Sequence, residues 1–249
     1  MIKTRIVPIL LLKGNSVVKT VNFKEPRMVG DAITNVKVFS SRLADEMVIV
    51  DIEATKRGTI NHQLIQRLAS LCVMPLSIGG GISSLNDAEM LFKSGADKVV
   101  INSAFYSEPD LLSKVADKYG AQSVVFSLDV KKVNTSYIAV SHSGIKFHNE
   151  ATEAALQAVN SGAGEIILNS IDQDGTMNGF DLELINVITS EIKVPVIAAG
   201  GCGNKADFVS AVDSGAAAVA AGSIFYWVGE SIITIKEFMS KNGIAVRFA

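Results

Sequence analysis

The 249-residue chain contains only two cysteines, Cys72 and Cys202, one closing an apolar helical segment and the other in a Gly-rich turn, with no CxxC pattern. That excludes a disulfide framework and a thiolate metal site, and it fits a reducing compartment. Histidine is also sparse. His62, His142 and His148 have no spacing that suggests a metal site or a triad, so they read as surface or loop residues. No apolar stretch approaches the ~20 residues that a membrane span needs. The run from Ile6 to Leu12 is broken by Pro8, meets Lys13 and Gly14 at once, and carries no small-residue cleavage site. Runs of lysine or arginine are also missing, and the formal net charge is −2, so no broad field attracts nucleic acid. The expectation is a cytoplasmic protein that binds neither membrane nor nucleic acid.

Apolar residues make up 48% of the chain and charged residues 19%, enough to fill a barrel interior and the layer outside it. Short apolar runs rich in β-branched residues recur at 5–12, 47–51, 75–78, 98–101, 123–128, 165–168, 195–198 and 217–220. Helix-period stretches lie between them at 61–71, 84–93, 110–118, 152–160, 182–190 and 205–212. Near-continuous apolar strands are buried on both faces, so this α/β alternation predicts a parallel sheet closed as a (β/α)8 TIM barrel, one domain over residues 1–249.

The two halves of the chain repeat. Gly80, Gly81, Asp87, Gly95, Phe105 and Tyr106 recur 120 residues later as Gly200, Gly201, Asp207, Gly215, Phe225 and Tyr226. Near the start of each half the offset is 118, pairing Ile6, Leu10 and Lys13 with Val124, Leu128 and Lys131. Two half-barrels, about 1–120 and 121–249, are thus related by a pseudo-twofold axis that sets Leu11 opposite Asp129.

Gly79-Gly80-Gly81 and Gly200-Gly201-Cys202-Gly203 form Gly-rich turns after the third and seventh runs. Glycine lets backbone N–H groups approach an anion, and a following helix N-terminus adds partial positive charge. Ala221-Gly222-Ser223 follows the eighth run, where this fold usually binds phosphate. The repeat puts Gly81, Asn102 and Ser103 at a second site opposite, so a substrate with a phosphate at each end is inferred. The competing explanation is that the glycines only satisfy tight βα turns. Asp51, Asp129, Asp172 and Asp174 stand at strand ends, where barrel enzymes place acid–base groups. Asp129 leads, because it ends an apolar run before Val130-Lys131-Lys132; its alternative is a carboxylate tied to one of those lysines. Asp172 and Asp174 also suit a plain turn beside Gly175-Thr176. At the other end, Arg5, Glu46, Lys98 and Glu165 begin strands one, two, four and six and are placed to meet as a ring of alternating sign, with stability as the simpler explanation.

The segments VVKTVNF (17–23), DIEAT (51–55), SIGGGI (77–82), GADKVVINSAF (95–105), GAGEIILNSIDQDGT (162–176) and AAGSIF (220–225) resemble the cyclase subunit of imidazole glycerol phosphate synthase, the HisF family. The resemblance covers nearly the whole chain. It implies that a separate glutaminase docked beneath the barrel sends ammonia through its core to a substrate with two phosphates at the top face. It assigns phosphate binding to Gly81, Asn102 and Ser103 on one side and to Gly175, Gly201, Gly222 and Ser223 on the other. Lys19 and Phe23 come from a mobile first loop, and Asp51 and Asp174 join the substrate-binding set. Arg5, Glu46, Lys98 and Glu165 align with a floor gate, and Asp97 with a carboxylate facing the glutaminase. Neither cofactor nor metal is implied.

One departure stands at the chemistry itself. The family's two catalytic aspartates are related by the pseudo-twofold axis; Asp129 is one, and Leu11 occupies the place of the other, where Asp-Val-Lys-Asp-Gly reads Leu11-Leu12-Lys13-Gly14-Asn15. Leucine moves no proton, and loss of a positioned acid–base group costs about 10²–10⁴-fold. Three readings follow. The chain is a histidine-biosynthesis synthase subunit using Asp129; or a paralogue supplying ammonia for amidation of a surface-polysaccharide sugar, which Leu11 favours; or a non-catalytic partner that channels ammonia for its glutaminase. The histidine-pathway aminoaldose–ketose isomerase shares the half-barrel repeat, but it relies on two opposed carboxylates, so Leu11 counts against it, and the charged floor disfavours it further.

Overall fold

Successive strand residues point to opposite faces, and here both faces find an apolar partner. The computed structural model describes residues 3–248. Its strands are β1 (Arg5–Lys13), β2 (Ser16–Val21), β3 (Lys24–Asp31), β4 (Met47–Asp51), β5 (Leu76–Gly79), β6 (Lys98–Ile101), β7 (Val124–Val133), β8 (Ser136–Ser141), β9 (Lys146–Glu150), β10 (Glu165–Ser170), β11 (Val196–Ala199) and β12 (Ala218–Ala221). Parallel pairing runs β1, β4, β5, β6, β7, β10, β11, β12 and back to β1, closing an eight-stranded (β/α)8 barrel.

One set of alternating residues fills the barrel. Val7, Val48, Val100, Val125, Ile167, Ile197, Ala218 and Ala220 form a buried interior cluster, with Ile9 and Val50 packed on it. The other set, including Ile6, Leu10, Met47, Ile78, Phe126 and Ile166, meets the helices outside. Each such side chain contributes about 1.5–3 kcal/mol through burial. Counting in twos along the inward face leads from floor to mouth: Arg5, Val7, Ile9, Leu11 on β1; Val125, Ser127, Asp129 on β7; Glu165, Ile167, Asn169 on β10.

The helices after the two Gly-rich turns start alike. Ser84 caps Leu85–Lys93 and Asn204 caps Lys205–Asp213, while Asp87 and Asp207 return a carboxylate to the turn before each helix. The repeated aspartate is therefore a capping residue. Helices Ala32–Ser40 and Ile232–Lys241 lie outside the predicted set, and helix His62–Ala69 stops before Leu71, leaving Cys72 in the following turn. Among the described residues no helix is long and apolar enough to cross a membrane.

The main difference from expectation is a pair of hairpins. β2 pairs antiparallel with β1 and with β3, and β8 pairs antiparallel with β7 and with β9, so each half-barrel carries a two-stranded flap at its mouth. The first loop, expected to carry Lys19 and Phe23, is a paired ribbon. β3 is almost wholly exposed and β9 largely so, which left no apolar run for sequence patterning to detect.

Candidate active site at the barrel mouth

A cavity of about 400 Å³ opens at the C-terminal ends of the barrel strands, between the two hairpins. Leu11, Lys19, Phe23, Asp51, Gly81, Asn102, Ser103, Asp129, Asp174, Gly175, Gly201, Gly222 and Ser223 all line it. Their convergence follows from strand alternation and from turns placed at one end of a closed sheet.

Asp129 is buried at its centre. Asn102 Nδ2 donates to its Oδ2 at 3.2 Å, and Ser127 Oγ to its Oδ1 at 3.2 Å. Burial pushes its pKa up to about 7, against the pull of Ser127 and Asn169 and with a further push from the charge of Asp174. Among the described residues no lysine holds it: Lys131 donates to the carbonyl of Gly144, and Lys132 pairs with Glu183. A carboxyl poised near neutrality both accepts and delivers protons.

Lys19 enters from β2 and is buried. Its Nζ donates to the Ile9 carbonyl at 2.8 Å and lies over the Tyr226 ring, 5.3 Å from its centroid. Burial lowers its pKa to about 8, opposed by Asp174. Asp174 accepts from Thr20 Oγ1 at 2.9 Å, and burial raises its pKa against that bond and against Lys19. Gly222 leaves the space that Lys19 fills, since a Cβ there would stand 1.9 Å from Nζ. Gly201 answers a backbone demand: its φ is +107°, and a Cβ would fall 2.1 Å from the Gly179 carbonyl oxygen. The turn explanation for that glycine therefore holds alongside any ligand role.

Two of the candidate carboxylates are engaged elsewhere. Asp51 lines the cavity but accepts from Arg57 Nη2 at 2.7 Å and from the Glu53 N–H at 3.0 Å. Asp172 is exposed and accepts from the Lys132 N–H at 2.8 Å, while Asn22 Nδ2 at the tip of the first hairpin donates to its carbonyl at 2.8 Å. Asn169 is a site residue that the turn and charge patterns missed. It lies one alternation above Ile167, and its Oδ1 is buried without a hydrogen-bond partner. Counting in twos from Glu165 would have found it.

The three histidines depart from a plain surface role to different degrees. His62 sits at the start of an outer helix near Ser94. His142 lines the cavity, and both it and His148 hydrogen-bond the buried Ser141 hydroxyl, because the unexpected β8–β9 hairpin folds them inward. Among the described residues no group of three side chains is arranged to hold a metal.

At the floor, Arg5, Glu46, Lys98 and Glu165 close a four-membered ring. Arg5 pairs with Glu46 at 2.6 Å and with Glu165; Lys98 pairs with both glutamates at 2.8 Å. Ser77 Oγ adds a hydrogen bond to Glu46 at 2.9 Å. Between this ring and Asp129 the barrel holds the apolar interior cluster, small on the β11 and β12 side, where Ala199, Ala218 and Ala220 stand. Asp97, exposed beside the ring's end of the barrel, accepts from the Leu76 N–H at 2.8 Å.

The family model described as "Histidine biosynthesis protein" matches residues 5–229. The chain is similar to the imidazole glycerol phosphate synthase subunit HisF of Hyphomonas neptunium, 41% identical over 251 residues and 99% of both chains. It is also similar to two proteins named putative imidazole glycerol phosphate synthase subunit hisF2. That of Campylobacter jejuni is 38% identical over 99% of both chains, and that of Pseudomonas aeruginosa 40% identical over 99% of this chain and 100% of its own.

Proposed function

The chain belongs to the histidine biosynthesis protein family, and from that premise we propose that it is the ammonia-using synthase subunit of a glutamine amidotransferase, of the imidazole glycerol phosphate synthase type. A partner glutaminase docks at the floor beside Asp97. Ammonia passes the ring of Arg5, Glu46, Lys98 and Glu165, crosses the barrel interior and reacts at the mouth with a substrate bearing two phosphates. Gly81, Asn102 and Ser103 hold one phosphate; Gly175, Gly201, Gly222 and Ser223, with Lys19, hold the other. The whole chain acts as one domain, in the cytoplasm.

The observation that carries this reading is the continuous inward face. It joins four paired charges at one end of the barrel to Asp129, whose pKa burial raises to about 7, between two repeat-related Gly- and Ser-bearing turns at the other. Adding ammonia to substrate and closing a ring requires protons to leave nitrogen and to reach a departing oxygen. Asp129, near neutrality and backed by Asn102 and Ser127, serves both transfers. Asp51 and Asp174 position the hairpin and loops around the substrate.

Leu11 favours a second reading, in which the scaffold and ammonia route persist while the acceptor is a sugar of a surface polysaccharide. The experiment is ammonia-dependent turnover of the histidine-pathway formimino ribulosyl substrate by the wild type, Leu11→Asp and Asp129→Asn proteins. Wild-type turnover that collapses in Asp129→Asn supports the first reading. No wild-type turnover, with activity appearing only in Leu11→Asp, supports the second.

A further inference from the structure

The two hairpins lean over the two anion subsites with the same backbone and different chemistry. Asn22 and Phe23 form the first tip at φ 51° and 61°; His142 and Ser143, 120 residues later, form the second at φ 53° and 58°. Consecutive left-handed residues without glycine are disfavoured, so both tips are held by their surroundings. The first hairpin brings the Lys19 cation to Gly222 and Ser223. Among the described residues no lysine lines the cavity beside their repeat equivalents, Asn102 and Ser103.

What the second hairpin brings there is imidazole. The backbone N–H of His142 donates to Ser103 Oγ at 3.3 Å, which sets the residue against this subsite, and Ser103 Oγ donates to Asn102 Oδ1 at 3.0 Å. The buried Ser141 Oγ lies 2.9 Å from His142 Nδ1 and 2.7 Å from His148 Nε2. The His148 ring stacks on Tyr106 with centroids 3.6 Å apart, which fixes the far end of the chain.

We propose that His142, backed through Ser141 by His148, is the cationic element of the Asn102–Ser103 subsite and takes up a proton as the substrate's phosphate binds there. The inference rests on the two-phosphate reading above. The hydrogen-bond chain accepts that proton without rearrangement. The Nδ1–H of charged His142 donates to Ser141 Oγ, whose own hydrogen goes to Nε2 of neutral His148. Among the described residues no protein group bonds His142 Nε2, which is left to the anion.

The charges around the pair are those of an unbalanced cation site. Lys146 stands on β9, Lys131 on β7 bonds the Gly144 carbonyl, Tyr106 stacks from below, and Asp129 spends its oxygens on Asn102 and Ser127. Burial first, and then the charge of Lys146, lower the pKa of His142; burial, His142 and Lys146 do the same for His148. An anion beside the ring reverses that balance. Recognition of one phosphate therefore depends on pH, while the lysine-served end does not over the same range.

Sulfate, whose charge is constant, is the probe, and calorimetry between about pH 5 and about pH 6.5 stays more than a unit below the value of about 8 to which burial lowers Lys19. An Asp129→Asn background removes the carboxyl that titrates in this window. Two sulfates bind, and one site weakens about tenfold as pH rises, one histidine pKa unit's worth of affinity. His142→Gln abolishes that pH dependence, His142→Lys gives tight binding at both pH values, and sulfate shifts the imidazole ¹⁵N resonances of the His142-intact protein. Retention of the tenfold dependence in His142→Gln, or unmoved imidazole resonances at sulfate saturation, overturns the assignment. If Ser103→Glu abolishes one sulfate while His142→Gln changes nothing, only the histidine role falls. If neither Ser103→Glu nor Ser223→Glu affects sulfate uptake, the two-phosphate reading falls and takes this inference with it.

Discussion

Leu11 and Asp129 hold the same place in the two half-barrels. Leu11 pairs with Val18 on its hairpin and with Val50 on the next barrel strand; Asp129 pairs with Val140 on its hairpin and with Asn169 on the next barrel strand. The backbone frame for a second carboxylate is intact, and only the side chain differs. Leu11→Asp is therefore expected to raise ammonia-dependent turnover of the histidine-pathway substrate by about 10²-fold or more, and Asp129→Asn to lower it by about 10²–10⁴-fold. Initial rates at saturating ammonia measure both. An unchanged rate in Leu11→Asp would show that the mouth no longer fits that substrate.

Asp129 also makes stability depend on pH. Its carboxyl titrates at about 7 in the folded protein, against an ordinary value of 3.8. Between those values the unfolded chain is ionised while the folded chain holds its proton. Stability therefore falls as pH rises through this window and levels off above about 7. Asp129→Asn, which mimics the protonated group, is expected to gain on the order of 4 kcal/mol over wild type at about pH 8 and almost nothing at about pH 4. Urea unfolding at both pH values checks the difference, and equal shifts would refute it.

Gly222 gives Lys19 its room. In Gly222→Ala the new methyl displaces the Lys19 ammonium, whose flexible end moves at little cost. Because hydrogen bonds to charged groups contribute about 1.5–3 kcal/mol, substrate or sulfate affinity is expected to drop roughly 10- to 100-fold. The midpoint of thermal unfolding should barely move. A large loss of stability with unchanged affinity would contradict the assignment of Lys19 to this subsite.

Removing one charge from the floor ring leaves the others unbalanced. Glu165 is buried, with its side chain 6% exposed, whereas Arg5 and Lys98 reach solvent at 28% and 18%. The cost of Glu165→Gln is therefore placed at about 1–3 kcal/mol, below that of a fully buried pair. With the glutaminase present, glutamine-dependent turnover should change while turnover on added ammonia stays within about twofold of wild type. Parallel changes in the two activities would assign the ring to stability alone.

Most of the barrel was legible in the chain because apolar runs and helix-period stretches are local signals. All eight barrel strands fall on predicted runs, and the pseudo-twofold repeat marked the paired turns and the equivalence of Leu11 with Asp129. The hairpins were not legible. The exposed residues of β3 and β9 alternate weakly, and pairing with the neighbouring strand holds them. Since the second hairpin carries His142 and His148, part of the mouth was hidden as well, whereas Lys19 on the first was reached through the family resemblance. Asp172 suited catalysis by position and proved to be tied to the Lys132 N–H.

The sequence by itself determined which faces of the strands are apolar, where turns permit an anion, and that one of two repeat-related positions cannot move a proton. Those properties depend on residue type and on spacing along the chain. Only the tertiary structure decided which polar groups are left without water and which charges meet. Asp129 becomes a near-neutral acid through burial. Arg5 and Glu165, 160 positions apart, pair at the floor, and Ser141 joins two imidazoles that the chain separates by six positions. Desolvation and pairing act through space, where sequence distance carries no information.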